Sequence, residues 1–325
     1  MAEATERLPV DAWFAGFFDA EGSICVQSRR HPELPIDGSI TLEVGQSDDG
    51  TVCRLFQNRF GGSLRVQPSR PPRHMRPEWR WRLHKRDAVH RAIVVFLQHC
   101  RNAWKRHFLT IAHDVCTLPP GILRASMCEH MKRAKQSEKQ KGECDILHSA
   151  DEEASLPTVS LGWLCGFFDG DGAVSCITTG RTARLDVTQT EPHAELVLRP
   201  FLERWGGNLA WYRPRNDKWR IVCHWKLERH TDVTMAATEL LQACCHPDKT
   251  RHLRIAAELF SPFERGLTTR RRILWQLLRN DKDTMRKAIG LCPLGDGGSG
   301  SVATSSTSSD EDTDRKTKAR SETVE

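Results

Sequence analysis

Long apolar runs and paired CxxC motifs are both missing from this 325-residue chain. No apolar stretch approaches the roughly 18 residues that a membrane-spanning helix needs, which excludes an integral membrane protein. The first ten residues, MAEATERLPV, contain acids and lack a charged-then-apolar layout, so neither a signal peptide nor a transit peptide is expected. The twelve cysteines form no CxxC pair, so the sequence predicts reduced, mostly buried thiols rather than a zinc site.

Charge is unevenly distributed along the chain. Lys and Arg number 48 against 42 Asp and Glu, for a net charge of +6. The stretch from Leu291 to the end has a net charge of −3 and Pro119–Ser160 has −1, so the remainder carries +10. A basic body with an acidic tail suits a polyanion partner, and it also suits an ordinary solvated surface.

One ten-residue string occurs twice. WFAGFFDAEG begins at Trp13 and WLCGFFDGDG begins at Trp163. Further strings return in the same order: FGGSLRV at Phe60 matches WGGNLAW at Trp205, and LQHCRNAWKRHFLTIA matches LQACCHPDKTRHLRIA. Self-similarity at one spacing indicates an internal duplication.

Hydrophobic periodicity follows the same order in each copy: a helix, two strands, a helix, two strands and further helices, which the first copy has at about 87–99 and 103–117. The predicted fold class is therefore α+β, with two pseudo-symmetric αββαββα repeats. Each sheet has one apolar and one polar, Arg-containing face. The polar faces could line a nucleic-acid groove or simply be solvated.

The predicted organisation has five segments. They are an N-terminal repeat at 8–118, a loosely ordered linker with a partly helical middle at 119–158, a C-terminal repeat at 159–262, a basic helical extension at 263–290 and a disordered acidic tail at 291–325.

Small residues lie four apart in both duplicated strings, Gly16 with Ala20 and Gly166 with Gly170. Residues at i and i+4 share a helix face, so the two helices can approach closely. At only about ten apolar residues, each run is too short for a bilayer. The sequence therefore predicts that the first helix of each copy packs on its duplicate inside the protein.

The paired helices would bring two acids together, because Glu21 and Asp171 end the two strings. Acids at helix C-termini oppose the helix dipole, and neighbouring carboxylates repel each other. Divalent metal would compensate both effects, and carboxylate-bound metal on a basic groove is suited to phosphodiester hydrolysis. Solvated loop caps are the alternative for a single copy, but the duplication favours a metal site.

The two strings resemble the LAGLIDADG motif of the homing endonucleases, in the single-chain form with two motifs. The resemblance covers roughly 8–118 and 158–262. Departures from the motif are Phe14 for the leading Leu, Cys165 for Ala and Glu21 for Asp, and none removes a ligand oxygen. It implies a saddle of two antiparallel sheets that lies in the DNA major groove, and cleavage of both strands across the minor groove to leave short 3′ overhangs.

The resemblance also implies the roles of site residues. Glu21 and Asp171 would bind the metal, which is expected to be Mg²⁺, with Mn²⁺ as an alternative and Ca²⁺ supporting binding without cleavage. A Gln near the end of the second strand and a basic residue at the start of the last long helix belong to the same catalytic set. These positions are Gln46, Gln189, Lys105 and Lys249. For the lysines, a solvated helix start is the alternative to a role in stabilising charge on the phosphates.

Outward-facing strand residues are the predicted DNA contacts, and because they differ between the copies, the target should not be a clean palindrome. They are Gln27, Arg29, Arg65, Gln67, Arg80, Arg82, Ser175, Thr179, Tyr212, Arg220 and His224. The partner is double-stranded DNA, and no second subunit is expected because both motifs are in one chain. The competing hypothesis is an intron maturase that binds host intron RNA, with or without DNA cleavage. Organellar and nuclear settings both fit.

Overall fold

The computed structural model describes residues 10–29, 37–47, 49–67, 77–141, 158–177, 182–192, 194–214, 220–259 and 276–280. Thr179, the predicted acidic tail and nearly all of the predicted basic extension lie outside these ranges, as does the side chain of Arg29. Of the extension, residues 276–280 are helical.

The N-terminal copy follows the predicted order of elements. It comprises α1 (Asp11–Glu21), β1 (Gly22–Arg29), β2 (Asp37–Gln46), α2 (Thr51–Phe60), β3 (Ser63–Gln67), β4 (Glu78–Leu83), α3 (Arg86–His99) and α4 (Ala103–Thr117). The next helix along the chain is α5 (Ile122–Lys141).

The C-terminal copy repeats that order. It comprises α6 (Leu161–Asp171), β5 (Gly172–Ile177), β6 (Thr182–Thr190), α7 (Ala194–Trp205), β7 (Asn208–Tyr212), β8 (Val222–Leu227), α8 (His230–Leu240) and α9 (Pro247–Leu259).

The two sheets have the same topology, with strand orders β1-β2-β4-β3 and β5-β6-β8-β7 and antiparallel pairing throughout. The register matches as well: the last motif glycine, Gly22 or Gly172, pairs with Val44 or Val187. The α+β fold class with two duplicated, four-stranded sheets is therefore confirmed.

A glycine pair ends α2 and α7 in the same way. Gly61 and Gly62 have φ of 77° and 94°, and Gly206 and Gly207 have 73° and 91°, a region that glycine adopts without strain. The indole of Trp81 donates to the Gly61 carbonyl at 2.7 Å, and the second copy has an equivalent bond, at 2.8 Å, to Gly206. These repeated FGG and WGG strings therefore fix the turn between a helix and its sheet.

Helices α1 and α6 pack backbone against backbone, as the small residues predict. A Cβ atom added to Gly16 would lie 2.1 Å from the Trp163 carbonyl oxygen, and one on Gly166 would lie 2.0 Å from that of Trp13. No side chain fits at these distances. The flanking phenylalanines, including Phe17 and Phe167, are fully buried in the surrounding core.

Helix α5 differs from the loosely ordered linker expected between the copies. Its first three turns bury Ala125, Cys128 and Met131. The side chain of Cys128 occupies the space beside Gly38 on β2, where a Cβ atom would lie 2.4 Å from its sulfur. An apolar face thus lies within a segment whose mean composition is polar, so α5 packs on the N-terminal sheet.

The described residues contain no helix long and apolar enough to cross a membrane. Nine of the cysteines in the described part of the chain are free thiols, buried in seven cases and half-buried at Cys25 and Cys245. Burial raises the pKa of the Cys116, Cys128 and Cys223 thiols to about 11.

Candidate active site and nucleic-acid interface

The two acids of the duplicated motif end the paired helices, Glu21 on α1 and Asp171 on α6. Glu21 is the more exposed of the two, although protein atoms cover part of its carboxylate, and Asp171 is half-buried. The two helices are in backbone contact at Gly16 and Gly166, where no side chain would fit. Their C-terminal carboxylates therefore share one site.

A glutamine from the second strand of each sheet binds each acid. The Gln189 amide donates to Asp171 Oδ2 at 2.5 Å, and the Gln46 amide hydrogen-bonds the Glu21 carboxylate. Both glutamines follow an inward-facing valine at a spacing of two, so strand alternation directs them to the motif helices. The structure thus places both predicted glutamines beside the predicted acids.

Electrostatics around the acids reflect crowding of negative charge. The pKa of Glu21 is raised, first because neighbouring protein atoms displace its water and then because Asp171 repels a second charge. Loss of solvation also raises the pKa of Asp171. Lys105 and Lys249 oppose both shifts, so the four charged groups influence one another across the helix pair.

The two predicted lysines cap the motif helices. Lys105 Nζ donates to the carbonyls of Phe18, Asp19 and Ala20 at 2.7, 2.6 and 3.2 Å. Lys249 Nζ makes the same three bonds on α6, to residues 168, 169 and 170, at 3.0, 2.5 and 2.5 Å. The solvated-start alternative is wrong for both lysines, since each ammonium neutralises the partial negative charge of a helix C-terminus.

The other motif acids, Asp19 and Asp169, are buried and exchange hydrogen bonds between the copies. Trp13 Nε1 donates to Asp169 Oδ2 at 2.9 Å, and Trp163 Nε1 donates to Asp19 Oδ2 at 3.0 Å. Each carboxylate also accepts a backbone N–H from just before the lysine helix, that of Arg101 or Cys245, both at 2.6 Å. Sequence reasoning assigned no role to this exchange.

These buried carboxylates therefore connect each motif helix to the other copy and to the start of α4 or α9. Lys105 and Lys249 lie in the first turn of these helices, at the third residue. Burial raises the pKa of Asp19 and of Asp169, while the bonds from tryptophan and backbone oppose the shift. One oxygen of each carboxylate, Oδ1, has no partner among the described residues.

The predicted contact residues of the N-terminal sheet whose side chains are described lie on its outward face. Gln27, Arg65 and Gln67 are exposed. Arg80 pairs with Glu78, Nε to Oε1 at 2.8 Å, and Arg82 Nε lies 2.9 Å from Glu43 Oε1 on the neighbouring strand. The arginines on β4 are therefore held by carboxylates, whereas Arg65 is exposed on β3.

In the C-terminal sheet, Tyr212 and Arg220 are exposed, Arg220 just before β8. Ser175 accepts a bond from Arg184 Nε at 3.2 Å. His224 Nδ1 lies 2.9 Å from Thr188 Oγ1 and 3.2 Å from Asp186 Oδ1.

Four further residues of the outward faces are absent from the predicted set of DNA contacts: Glu43, Arg184, Asp186 and Lys226. Strand alternation was the available signal, since Arg184, Asp186 and Thr188 alternate with the buried Ala183, Leu185 and Val187. What alternation does not reveal is which acid pairs with which cation across the strands.

The residues at the site fit a divalent cation bound jointly by protein and substrate. Among the described residues no three of His, Cys, Asp and Glu cluster as a metal cage. Two carboxylates crowd together, and one has its pKa raised by the other, so a cation between them would be stabilised. Mg²⁺ is commonly held in this way, by one or two carboxylates with substrate phosphates and water.

Solved structures share the fold of this chain, although no family model matches it. LAGLIDADG homing endonuclease I-GzeII in complex with a DNA target aligns with a TM-score of 0.55 at 14% identity, over 82% of this chain and 97% of that one. Meganuclease I-SmaMI bound to uncleaveable DNA gives 0.57 at 15% identity, over 83% and 97%. I-SmaMI bound to an uncleaved target in the presence of calcium ions gives 0.50 at 15%, over 82% and 98%.

The fold is therefore that of the LAGLIDADG homing endonucleases in their single-chain form with two motifs, which confirms the resemblance stated from the sequence.

Curated proteins similar to this chain are encoded by introns. A probable intron-encoded endonuclease, aI2, of Debaryomyces hansenii is 23% identical over 236 residues, which are 68% of this chain and 28% of that protein. Intron-encoded RNA maturase bI4 of Saccharomyces cerevisiae is 23% identical over 214 residues, 64% and 26% respectively. The chain thus spans about a quarter of the length of these relatives.

Proposed function

We propose that this chain is a site-specific DNA endonuclease that hydrolyses both strands of a long, non-palindromic target with a divalent metal, Mg²⁺ in the first instance. The observation that carries the proposal is the duplicated acid, Glu21 and Asp171, at the joined ends of two helices between two sheets with polar faces. Solved structures of this fold bound to DNA support a DNA substrate.

Glu21 and Asp171 would hold the metal, which when bound supplies charge stabilisation and an activated water. Gln46 and Gln189 orient these carboxylates through the amide bonds described above. Lys105 and Lys249 favour the ionised form of the carboxylates, because each positive charge opposes the rise in the pKa of both acids. The chain thus presents a pair of oriented anions.

The lysines act from a distance in this proposal. An ammonium group has three N–H donors, and each lysine already bonds three carbonyls. Direct contact with a phosphate would require one of these bonds to break. We therefore assign them an electrostatic role beside the phosphates, together with capping of the helices that present the acids.

The outward residues of the sheets would read the target. Arg suits guanine and Gln suits adenine in the major groove. The N-terminal sheet presents Gln27, Arg65 and Gln67, whereas the C-terminal sheet presents Tyr212 and a histidine. Because the two sheets present different DNA-contacting residues, the two halves of the target should differ in sequence. The target is therefore proposed to be non-palindromic.

The test is cleavage of a randomised-site plasmid library by the purified chain in Mg²⁺, with chelator as the blank. Once a target is selected, Glu21→Gln and Asp171→Asn should each slow cutting of both strands by about 1,000-fold or more while binding persists. Asp11→Asn is the matched control, since Asp11 is an acid on the same helix, paired with Arg59 at 2.8 Å at the opposite end. Wild-type cutting rates in both site variants would refute the catalytic assignment.

A maturase is the second candidate, favoured by the similarity to the maturase bI4. It predicts that a structured intron RNA competes with target DNA at comparable concentration. If RNA competes only at a large excess over DNA, the maturase candidate is refuted and the endonuclease proposal stands.

A further inference from the structure

An acid lies at the same position on the outward face of both sheets. Glu43 is the residue before Val44 and Asp186 is the residue before Val187, the two valines that pair with the motif glycines. Glu43 pairs across the strands with Ser23 and Asp186 pairs with Ala173. Each acid is thus about two residues, or roughly 7 Å of strand, beyond the end of its motif helix.

A carboxylate that faces a polyanion weakens binding, since DNA carries a dense row of phosphates. Both acids nonetheless lie in the part of the face nearest the proposed cleavage site. Neither approaches the DNA surface as closely as its partner: the side chain of Glu43 is 16% exposed against 33% for Arg82, and Asp186 is 14% exposed against 28% for His224. The acids lie beneath the cationic or aromatic groups that are presented outward.

The contacts fix the orientation of those outward groups. Glu43 Oε1 forms an ion pair with Arg82 Nε at 2.9 Å, so the carboxylate lies beside the guanidinium and restricts where it can move. Asp186 Oδ1 and Thr188 Oγ1 both lie within hydrogen-bonding distance of His224 Nδ1, and Thr188 also bonds Asp186, so the three groups restrict rotation of the imidazole. A DNA-contacting side chain that is already held in one rotamer loses less conformational entropy on contact with a base edge than a mobile side chain does.

We propose, on the basis of the proposed endonuclease function, that Glu43 and Asp186 are positioning residues for sequence readout. They orient Arg82 and His224 toward the base pairs nearest the cleavage site, one in each half of the target. They lower affinity for all DNA and raise discrimination at those inner base pairs. They are distinct from the metal-binding acids, since each is bound to a reader on the sheet.

The experiment compares Glu43→Gln and Asp186→Asn with wild type on the selected target, on every single-base variant of it and on a scrambled duplex. Discrimination at the inner base pairs should fall about tenfold, because one misread base pair is worth roughly that factor or more. Glu43→Gln should affect one half of the target and Asp186→Asn the other. Affinity for the scrambled duplex should stay the same or increase.

Positioning makes a further demand on double variants. Glu43→Gln/Arg82→Gln should discriminate no worse than Arg82→Gln alone, because the acid acts through the arginine. The matched control is Glu195→Gln, an acid paired with Arg199 at 2.7 Å on α7, which covers the opposite face of the sheet. It should leave discrimination unchanged at all positions.

The outcomes separate this inference from the function beneath it. If the wild type cuts or binds no DNA specifically, both proposals fail. If the wild type cuts a defined target and the acid variants discriminate as it does, only the inference fails. A loss spread evenly over both halves, or additive effects in the double variant, would also overturn it by indicating general loosening of the sheet.

Discussion

The two copies have the same set of interior contacts, called the frame below, and differ on the surface that would meet DNA. Both have the backbone contact at the motif glycine, the tryptophan-to-aspartate exchange and the lysine cap. Outward positions differ: Arg82 on β4 corresponds to Lys226 on β8, and Arg80 corresponds to His224. A duplicated chain can thus change the outward residues of each half, which are the proposed DNA contacts, without disturbing the contacts that align its two acids.

The frame is most sensitive at Gly16 and Gly166. Substituting leucine at either should cost about 3 kcal/mol or more, because the new Cβ would lie about 2 Å from a backbone carbonyl that cannot move aside. Chemical denaturation measures the loss directly. Equal losses at both positions would confirm that the helix interface is symmetric, whereas wild-type stability in either variant would refute the close packing.

The buried exchange between the copies should respond symmetrically as well. Trp13→Phe and Trp163→Phe each remove one indole donor from a buried carboxylate and leave a small cavity, so each should cost about 2 kcal/mol. Paired denaturation curves, with Trp81→Phe as a control tryptophan whose indole bonds a glycine carbonyl, provide the measurement. A difference between Trp13→Phe and Trp163→Phe of more than roughly 1 kcal/mol would show that the frame is not symmetric.

Much of this architecture is predictable from the sequence because the signals are local. Strand alternation places Gln46 and Gln189, and the glycine pairs end α2 and α7 where expected. The exchange between Trp13 and Asp169 joins residues 156 apart, and no local pattern specifies it. The same holds for Lys105, whose position at a helix start suggests solvent until the motif helix is docked above it.

The copies also differ inside the helix interface, where Ala20 in α1 faces Gly170 in α6. A methyl group added at Gly170 would lie 2.3 Å from the Ala20 Cβ. Gly170→Ala should therefore cost about 1 kcal/mol net, because the clash outweighs the better helix propensity of alanine. The double variant Gly170→Ala/Ala20→Gly exchanges the two residues and should recover wild-type stability. Failure of that rescue would show that the asymmetry matters for more than space.

The smallest expected effect is the loss of folding stability that ionised Glu21 and Asp171 cause in the protein without metal. The pKa values of Glu21 and Asp171 are both raised in the folded protein, so the folded state binds their protons more tightly than the unfolded chain does. Stability therefore declines as pH rises from the unfolded pKa, near 4, through the folded value. Glu21→Gln and Asp171→Asn lack this decline. Without metal they should melt slightly above wild type at neutral pH and together with it below about pH 4.

Divalent metal should reverse that order, because it binds only the folded wild type with both carboxylates in place. Adding Mg²⁺ at pH 7 should raise the melting temperature of wild type more than that of either variant, a readout that needs no DNA and no cleavage. The two substitutions should also be less than additive without metal, since removing Glu21's charge already relieves its repulsion with Asp171. Full additivity would indicate that the carboxylates do not interact. Equal responses to Mg²⁺ in wild type and both variants would indicate that the two carboxylates do not bind the metal in the absence of DNA.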